Sequence, residues 1–239
     1  MSKTQRLDKI LANLGFGSRK DIRSICKQGL VTIDNKVVKS SSIHVDPYQS
    51  EIKVGEDLIE YREFVYLMMN KPPDVISATE DSRHETVIDL IDTSFRVFDV
   101  FPVGRLDKDT EGLLLLTNDG QLAHKLLSPK KHVPKTYYAK VEGKVTDKDI
   151  KAFKAGVTLE DGYKTLPSEL EIIKSADVSE IALTIYEGKF HQVKRMFEAV
   201  DKKVIYLKRL TMGTLSLDKD LELGEYRELT EDELESLTN

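Results

Sequence analysis

The stretch Gly104-Arg105-Leu106-Asp107-Lys108-Asp109-Thr110-Glu111-Gly112-Leu113-Leu114-Leu115-Leu116 decides how this 239-residue chain is read. Its second half is an apolar run of strand length, which belongs in a buried strand. Its first half is polar and opens on glycine, so it reads as a loop feeding that strand. Asp107 therefore sits on a loop held by a rigid element, a place from which carboxylates act in catalysis. Turn-forming aspartates occupy the same kind of place, and position alone favours that plainer role. Arg105 and Asp109 are near enough in sequence to pair locally. Beyond the strand, Asn118-Asp119-Gly120 turns the chain into an amphipathic helix around Leu122, Leu126 and Leu127.

Outward from this stretch the chain holds many strands and few helices. Residues 64–69 form a buried-strand run ended by Asn70-Lys71-Pro72-Pro73, and 97–103 is a second strand candidate interrupted by Pro102. Residues 137–141, 170–173 and 181–186 read as further strands. Residues 193–200 read as a helix with Met196, Phe197 and Val200 on one face. That pattern implies an α+β domain with a largely antiparallel sheet over 61–239.

Residues 1–60 have a different texture and read as a compact module, joined by a short linker near 55–62. Leu7, Ile10, Leu11 and Leu14 recur at helical spacing before Gly15-Phe16-Gly17 breaks the helix. Ser18 is an N-cap for a second helix, with Asp21 three residues on and Ile22, Ile25 and Cys26 on one face. Gly29 closes it. Residues 31–33 and 36–38 then read as two strands around the tight turn Asp34-Asn35. Residues 52–54 add another strand.

Composition narrows the chemistry. Apolar residues at 40% suffice for a core, and charged residues at 32% give an ionic surface. The single cysteine, Cys26, forms no intramolecular disulfide, which suits a reducing cytoplasm. The polar N-terminal stretch does not read as a signal peptide, and no apolar run approaches membrane-spanning length. The five histidines lack metal-ligand spacing, and no glycine-rich phosphate loop is present, so no metal and no cofactor are expected. The net charge of −5 conceals segregation: residues 1–45 carry nine Lys/Arg against three acids, and 188–209 carry seven against two. The tail from Leu215 holds nine acids against two bases and reads as a solvated edge. Local basic fields bind phosphates whatever the global sum.

On the second helix Arg19, Arg23 and Lys27 stand four apart and share one face, and Arg6 and Lys9 extend the charge from the first. For an isolated helix, a solvated basic face is the default account. The wider pattern R-L-D-K, G-x-x-S-R-K and G-L-V-T-I-D-N-K over residues 4–50 resembles the αL RNA-binding motif of a small-subunit ribosomal protein, tyrosyl-tRNA synthetase and several rRNA-modifying enzymes. The resemblance implies RNA contact through Arg6, Lys9, Ser18, Arg19, Lys20 and Arg23.

Two enzyme families compete for the Asp107 stretch. Asp107-Lys108-Asp109-Thr110 is similar to the D-x-D-x-T start of haloacid-dehalogenase-type phosphatases. That motif needs an apolar strand directly before it, which Pro102 and Gly104 break. The longer run from Gly104 to Gly120 resembles the signature of pseudouridine synthases of the RsuA type, which modify small-subunit 16S rRNA. Lys135-Thr136-Tyr137 resembles the same family's K-T-Y motif. Glu187-Gly188-Lys189-Phe190-His191-Gln192-Val193-Lys194-Arg195-Met196-Phe197 resembles its E-G-[RK]-x-H-Q-V-[KR]-R-M-F motif. Segments 153–157 and 224–230 agree with it too, so the resemblance spans essentially the whole chain.

The resemblance implies an N-terminal αL module followed by a synthase domain whose mixed, largely antiparallel sheet is flanked by helices. It implies a monomeric enzyme that isomerises a uridine of ribosomal RNA to pseudouridine. Asp107 is the catalytic carboxylate, attacking the sugar or assisting a glycal route. Tyr137 stacks on the base and reaches its ring proton. Lys194 pairs with Asp107, with Arg195 as the alternative partner; helical neighbours lie about 100° apart, so both do not face the site equally. Many relatives carry Arg where this chain has Lys194, so a bidentate pair becomes a point-charge contact. Arg105 braces the flipped nucleotide, and Leu207 and Arg195 complete the substrate site. A large-subunit rRNA synthase, or a non-catalytic ribosome-assembly factor using the same basic surfaces, is the alternative.

Overall fold

The computed structural model describes residues 4–238, so the first three residues of the polar N-terminal stretch lie outside the description. One compact unit runs to Val65 and takes in Asp92–Val100; the other holds Tyr66–Ile91 and everything from Phe101. The division at 60/61 expected from sequence places Asp92–Val100 with the second body.

The first unit begins with β1 (Gln5–Arg6), α1 (Leu7–Asn13) and α2 (Arg19–Lys27). Ser18 caps α2 in a capping box: its Oγ accepts from the Asp21 amide, and the Asp21 carboxylate accepts from the Ser18 amide at 2.9 Å. Next come β2 (Val31–Ile33), β3 (Lys36–Val37), β4 (His44–Val45), β5 (Ile52–Val54) and β6 (Asp57–Leu58). Asp34 and Asn35, with φ of 49° and 62°, make the β2–β3 turn, since both central residues of such a turn need positive φ. Leu7, Ile10, Leu11, Ile22 and Cys26 meet Val31 and Ile52 in the core of this unit. The short helix α3 (Thr93–Arg96) also belongs here.

The second unit is built on a nine-stranded sheet. Its elements are β7 (Tyr66–Lys71), β8 (Phe101–Pro102), β9 (Glu111–Thr117), α4 (Gly120–Leu127), β10 (Lys135–Glu142), α5 (Asp147–Ala155), β11 (Glu169–Lys174), β12 (Val178–Ile185), α6 (Gln192–Glu198), β13 (Lys203–Met212), β14 (Leu215–Ser216), β15 (Tyr226–Glu228) and α7 (Glu231–Thr238). The main path runs β11-β12-β10-β13-β9-β7-β15. Every pairing is antiparallel except β13 with β9, so the sheet is mixed and largely antiparallel.

That parallel pairing is brief, Lys208 with Glu111 and Arg209 with Gly112, and it joins the two halves of the sheet. Gly112 is required there. Its φ is +104°, and a Cβ would stand 2.3 Å from the Arg209 carbonyl oxygen. The glycine of the decisive stretch is thus what allows β9 and β13 to close on each other.

Three expectations need correction. The 97–103 strand is only Phe101–Pro102, because Val97 ends α3 and Asp99 takes a φ of 53°. The 64–69 strand is shifted to Tyr66–Lys71; Asn70 continues it by exchanging backbone bonds with Glu225 and Gly224 and donating to the Leu221 carbonyl. The acidic tail is more than a solvated edge. It supplies the edge strand β15 beside β7, and Arg227 bridges Asp218 and Glu233, while Leu237 of α7 is buried with Leu122 and Leu126.

Candidate active site

The Asp107 loop is held from three sides before any side chain of the site is considered. Its turn closes through the Thr110 amide donating to the Asp107 carbonyl at 3.0 Å. Ser77 Oγ accepts from the Leu106 amide and donates to the Leu106 carbonyl, at 3.0 and 3.1 Å. The fully buried Lys71 donates through Nζ to the carbonyls of Thr110, Lys108 and Pro72, at 3.0, 3.3 and 2.9 Å. An ammonium carries three donors and no acceptor, so three converging carbonyls satisfy it fully. Burial lowers the Lys71 pKa to about 8, against the opposing pull of Asp109 and Asp107. Sequence reading treated Lys71 as part of a turn; it is instead the staple of the Asp107 loop. The Asn70-Lys71-Pro72-Pro73 punctuation was its only signal.

The second wall is the loop before α6. Glu187, nearly buried, accepts from the Leu166 amide, the Tyr163 hydroxyl and Gln192 Nε2. Gln192 in turn accepts from the Lys189 amide at 2.8 Å. These bonds pin both ends of the loop, and His191 enters α6 in the left-handed region at φ 46°. The glutamate and glutamine of the E-G-K-F-H-Q segment therefore shape the loop that presents His191 and Lys194.

Lys194 reaches Asp107 Oδ2 at 3.2 Å and both Asp109 oxygens at 2.6 and 2.9 Å. His191 Nε2 lies 3.5 Å from the other oxygen, Asp107 Oδ1. Burial alone would lower the Lys194 pKa, but the hydrogen bond to Asp109 and the attraction of Asp107 leave it above the ordinary lysine value. Asp109 shows the reciprocal effect: Lys194 overcomes the burial that would raise it and holds its pKa below normal. Lys194, not Arg195, is the cation at Asp107. The Arg195 guanidinium is paired with Asp161, so the substrate contact expected of it is not among the contacts the structure brings to Asp107. Asp109 pairs with Lys194 rather than with Arg105, which is exposed.

Asp107, Tyr137 and Leu207 line one cavity of about 120 Å³. Strand alternation explains the set. Lys135, Tyr137 and Ala139 share the buried face of β10, and on β13 Tyr137 stands opposite Arg209 and Ala139 opposite Leu207. Arg105, Lys135 and Arg209 line the same cavity. Arg209 is buried and donates through Nε to the Leu113 carbonyl at 2.7 Å, leaving Nη2 without a partner. Burial, then the nearby Arg209 charge, lowers the Lys135 pKa to about 8. Sequence reading missed His191, Lys135 and Arg209 as parts of this cavity, although the first two lay in quoted motifs.

A rigidly held carboxylate with a cation on one oxygen and an imidazole near the other, facing a tyrosine in a small cavity, fits work on a bound base and its sugar. Among the described residues no three or more His, Cys, Asp or Glu side chains converge as a metal-binding group. The RNA pseudouridylate synthase sequence pattern matches residues 65–199, which hold Asp107, Tyr137 and Lys194. The chain belongs to the RNA pseudouridylate synthase family.

The S4 domain pattern matches residues 5–47, so the enzyme carries an RNA-binding domain before its synthase domain. It is 57% identical to an uncharacterized RNA pseudouridine synthase of Bacillus subtilis, over 97% of this chain and 98% of that one. It is 40% identical to ribosomal small subunit pseudouridine synthase A of Vibrio cholerae, over 97% and 99% of the two chains. Identity to ribosomal large subunit pseudouridine synthase B of Bacillus subtilis is 39%, over 98% and 95%. A pseudouridylate synthase crystal structure superposes with a TM-score of 0.69 at 37% identity, over 97% and 99% of the chains.

In the S4 domain, Lys9, Arg19, Lys20 and Arg23 are exposed and make no ion pair among the described residues. Arg6 is different: its guanidinium is hydrogen-bonded to both Asp8 oxygens. Ser18 is engaged in the α2 cap. The structure thus leaves four of the six expected RNA contacts as free cations or donors. No helix among the described residues is long and apolar enough to cross a membrane.

Proposed function

We propose that this synthase isomerises a uridine of 16S rRNA in the cytoplasm, acting as a monomer without a cofactor. The observation that carries the reading is that Asp107 and Tyr137 line one cavity while Lys194 holds the Asp107 carboxylate, the three coming from separate segments of the synthase domain. The target uridine enters the cavity flipped out of its stack, because the bond to be broken is out of reach otherwise. Asp107 then acts on the nucleotide, by attack on the sugar carbon or by assisting a glycal route, while Lys194 keeps the carboxylate oriented. Tyr137 stacks on the freed base as it turns, and its phenol takes the proton from the ring carbon. Leu207 forms an apolar wall against the base, and Arg105 braces the backbone. The S4 domain grips phosphates through Lys9, Arg19, Lys20 and Arg23.

The small-subunit assignment is supported by the relatives named small subunit synthase A. The 39% identical large subunit synthase B supports a 23S rRNA target as the second reading. Chemical mapping of pseudouridines in a strain lacking the gene separates them: loss of one position in 16S rRNA is expected, and loss only in 23S rRNA replaces the first reading with the second. For the site, Asp107→Asn should abolish pseudouridine formation on the mapped fragment with RNA affinity nearly unchanged. Activity retained in that variant removes Asp107 from its role, and an undiminished pseudouridine map in the deletion strain leaves only an assembly factor.

A further inference from the structure

Phe190 stands beside the Asp107 cavity and has no part in the steps above. It leaves 68% of its surface exposed, the highest value among the large apolar side chains of the exposed set. Single exposed apolar residues are ordinary on protein surfaces, so exposure alone assigns nothing. This one is stacked, however. Its ring lies flat on His191, with centroids 3.7 Å apart and planes 19° from parallel. Both residues sit on the loop pinned by Glu187 and Gln192. One face of the phenyl ring is covered by the imidazole, and most of the rest is open to solvent.

The surroundings are those of a strand-binding groove. An open groove of about 570 Å³ runs from Asp107 and Arg105 past Ser77 to Phe190 and His191. Arg105 and Lys189 line it and supply positive charge. An aromatic face beside cations is the recurring design for unpaired nucleotides, where the base stacks and the backbone is neutralised. A protein segment would have less use for two cations so close to a planar ring.

We propose that the Phe190–His191 stack receives an unpaired base next to the uridine that enters the Asp107 cavity. This rests on Asp107 marking the reaction site. Pulling one nucleotide out of a strand strips a stacking partner from its neighbour, and Phe190 restores one at the mouth of the cavity. The stack thereby offsets part of the unstacking cost and favours substrates whose target uridine lies in a loop or bulge.

The test uses the full-length protein and an RNA stem-loop containing the mapped uridine, with 2-aminopurine placed on either side of it. Stacking on Phe190 should quench the 2-aminopurine at one position. Phe190→Ala should abolish that quench and raise KM about 5- to 100-fold, with kcat little changed. Phe190→Trp should keep both. Phe190→Leu, which retains apolar bulk without a ring, should behave as Phe190→Ala does; wild-type behaviour in Phe190→Leu overturns the proposal, as does an unchanged quench in Phe190→Ala. The quench is read again in Asp107→Asn, where it should persist. Persistence there while catalysis is retained discards the Asp107 reading alone, and its absence in the wild type discards the stacking site alone.

Discussion

The two charged regions of this protein handle their charges in opposite ways. Around Asp107 three ionic groups are held by fixed partners: Lys194 by two carboxylates, Lys71 by three carbonyls, Glu187 by three donors. On α2 of the S4 domain, Arg19, Lys20 and Arg23 are exposed without ion pairs among the described residues. The difference separates two kinds of work. Chemistry on one bond needs a carboxylate fixed to a fraction of an ångström, so its neighbours are committed in advance. Phosphate binding needs cations free to meet a backbone, so they are left unengaged. Arg6, paired with Asp8, follows the first pattern although it lies in the second region.

The largest expected effect breaks the first region. Lys194→Met leaves two carboxylates facing each other without their shared cation. It should cost on the order of 100- to 1000-fold in kcat, the scale of losing one electrostatic contact in a preorganised site. RNA affinity should change little, because the S4 cations are untouched. Lys194→Arg should recover most of the activity, since a guanidinium reaches both carboxylates too. Single-turnover assays on the mapped rRNA fragment check both. Asp109→Asn should cost less than Lys194→Met, because Asp107 keeps its partner; an equal loss would show that Asp109 itself orients the lysine.

What the sequence disclosed and what it hid divides along the same line of local against distant causes. The α2 capping box, the Asp34-Asn35 turn and the Leu113–Leu116 part of β9 are set by neighbours within a few residues, so they were legible. The pairing of Asp107 with Lys194 joins a loop to a helix far away in sequence, and only motif resemblance brought the two together. Lys71 and Arg209 were missed because a buried cation looks like a surface one until its carbonyl partners are placed around it. His191 was quoted within a motif but given no role, since nothing local aims an imidazole at a carboxylate on another loop. Strand β13 was missed because alternating Lys, Arg and apolar residues read as a basic field. The 97–103 strand failed because its first residues belong with Gly15 to the first unit, where Val97 fills the space a Gly15 Cβ would take.

A smaller effect sharpens the second region. Replacing Arg19 and Arg23 by Ala removes two exposed cations from one helix face, with no ion pair among the described residues to break. Fold stability should hold within about 0.5 kcal/mol. Binding to rRNA should weaken about tenfold at moderate salt, and the slope of log affinity against log salt should flatten by about 1 to 2. Arg6→Ala is the contrast: because Asp8 already holds that guanidinium, its effect on the slope should be smaller. Titrations at several salt concentrations read both, and an unchanged slope in the double variant would make the α2 stripe a solvated face.

The smallest effect probes the cost of committing charges in the synthase domain. Lys71 and Lys135 are each lowered to about 8 by burial, against about 10.4 for a free lysine. Between those values the folded protein releases protons that the unfolded chain still binds. More protons on the unfolded state means that unfolding free energy rises with pH across this window. The rise from pH 8 to 9.5 should be on the order of 1 kcal/mol for each lysine. Lys135→Met should remove its share and flatten the profile, while the Arg19 and Arg23 variant should leave the profile as it is in the wild type. Urea unfolding at three pH values tests this. A wild-type profile that falls over the window would mean that the buried lysines keep their charge at no cost, and that the carbonyls around Lys71 outweigh the burial they accompany.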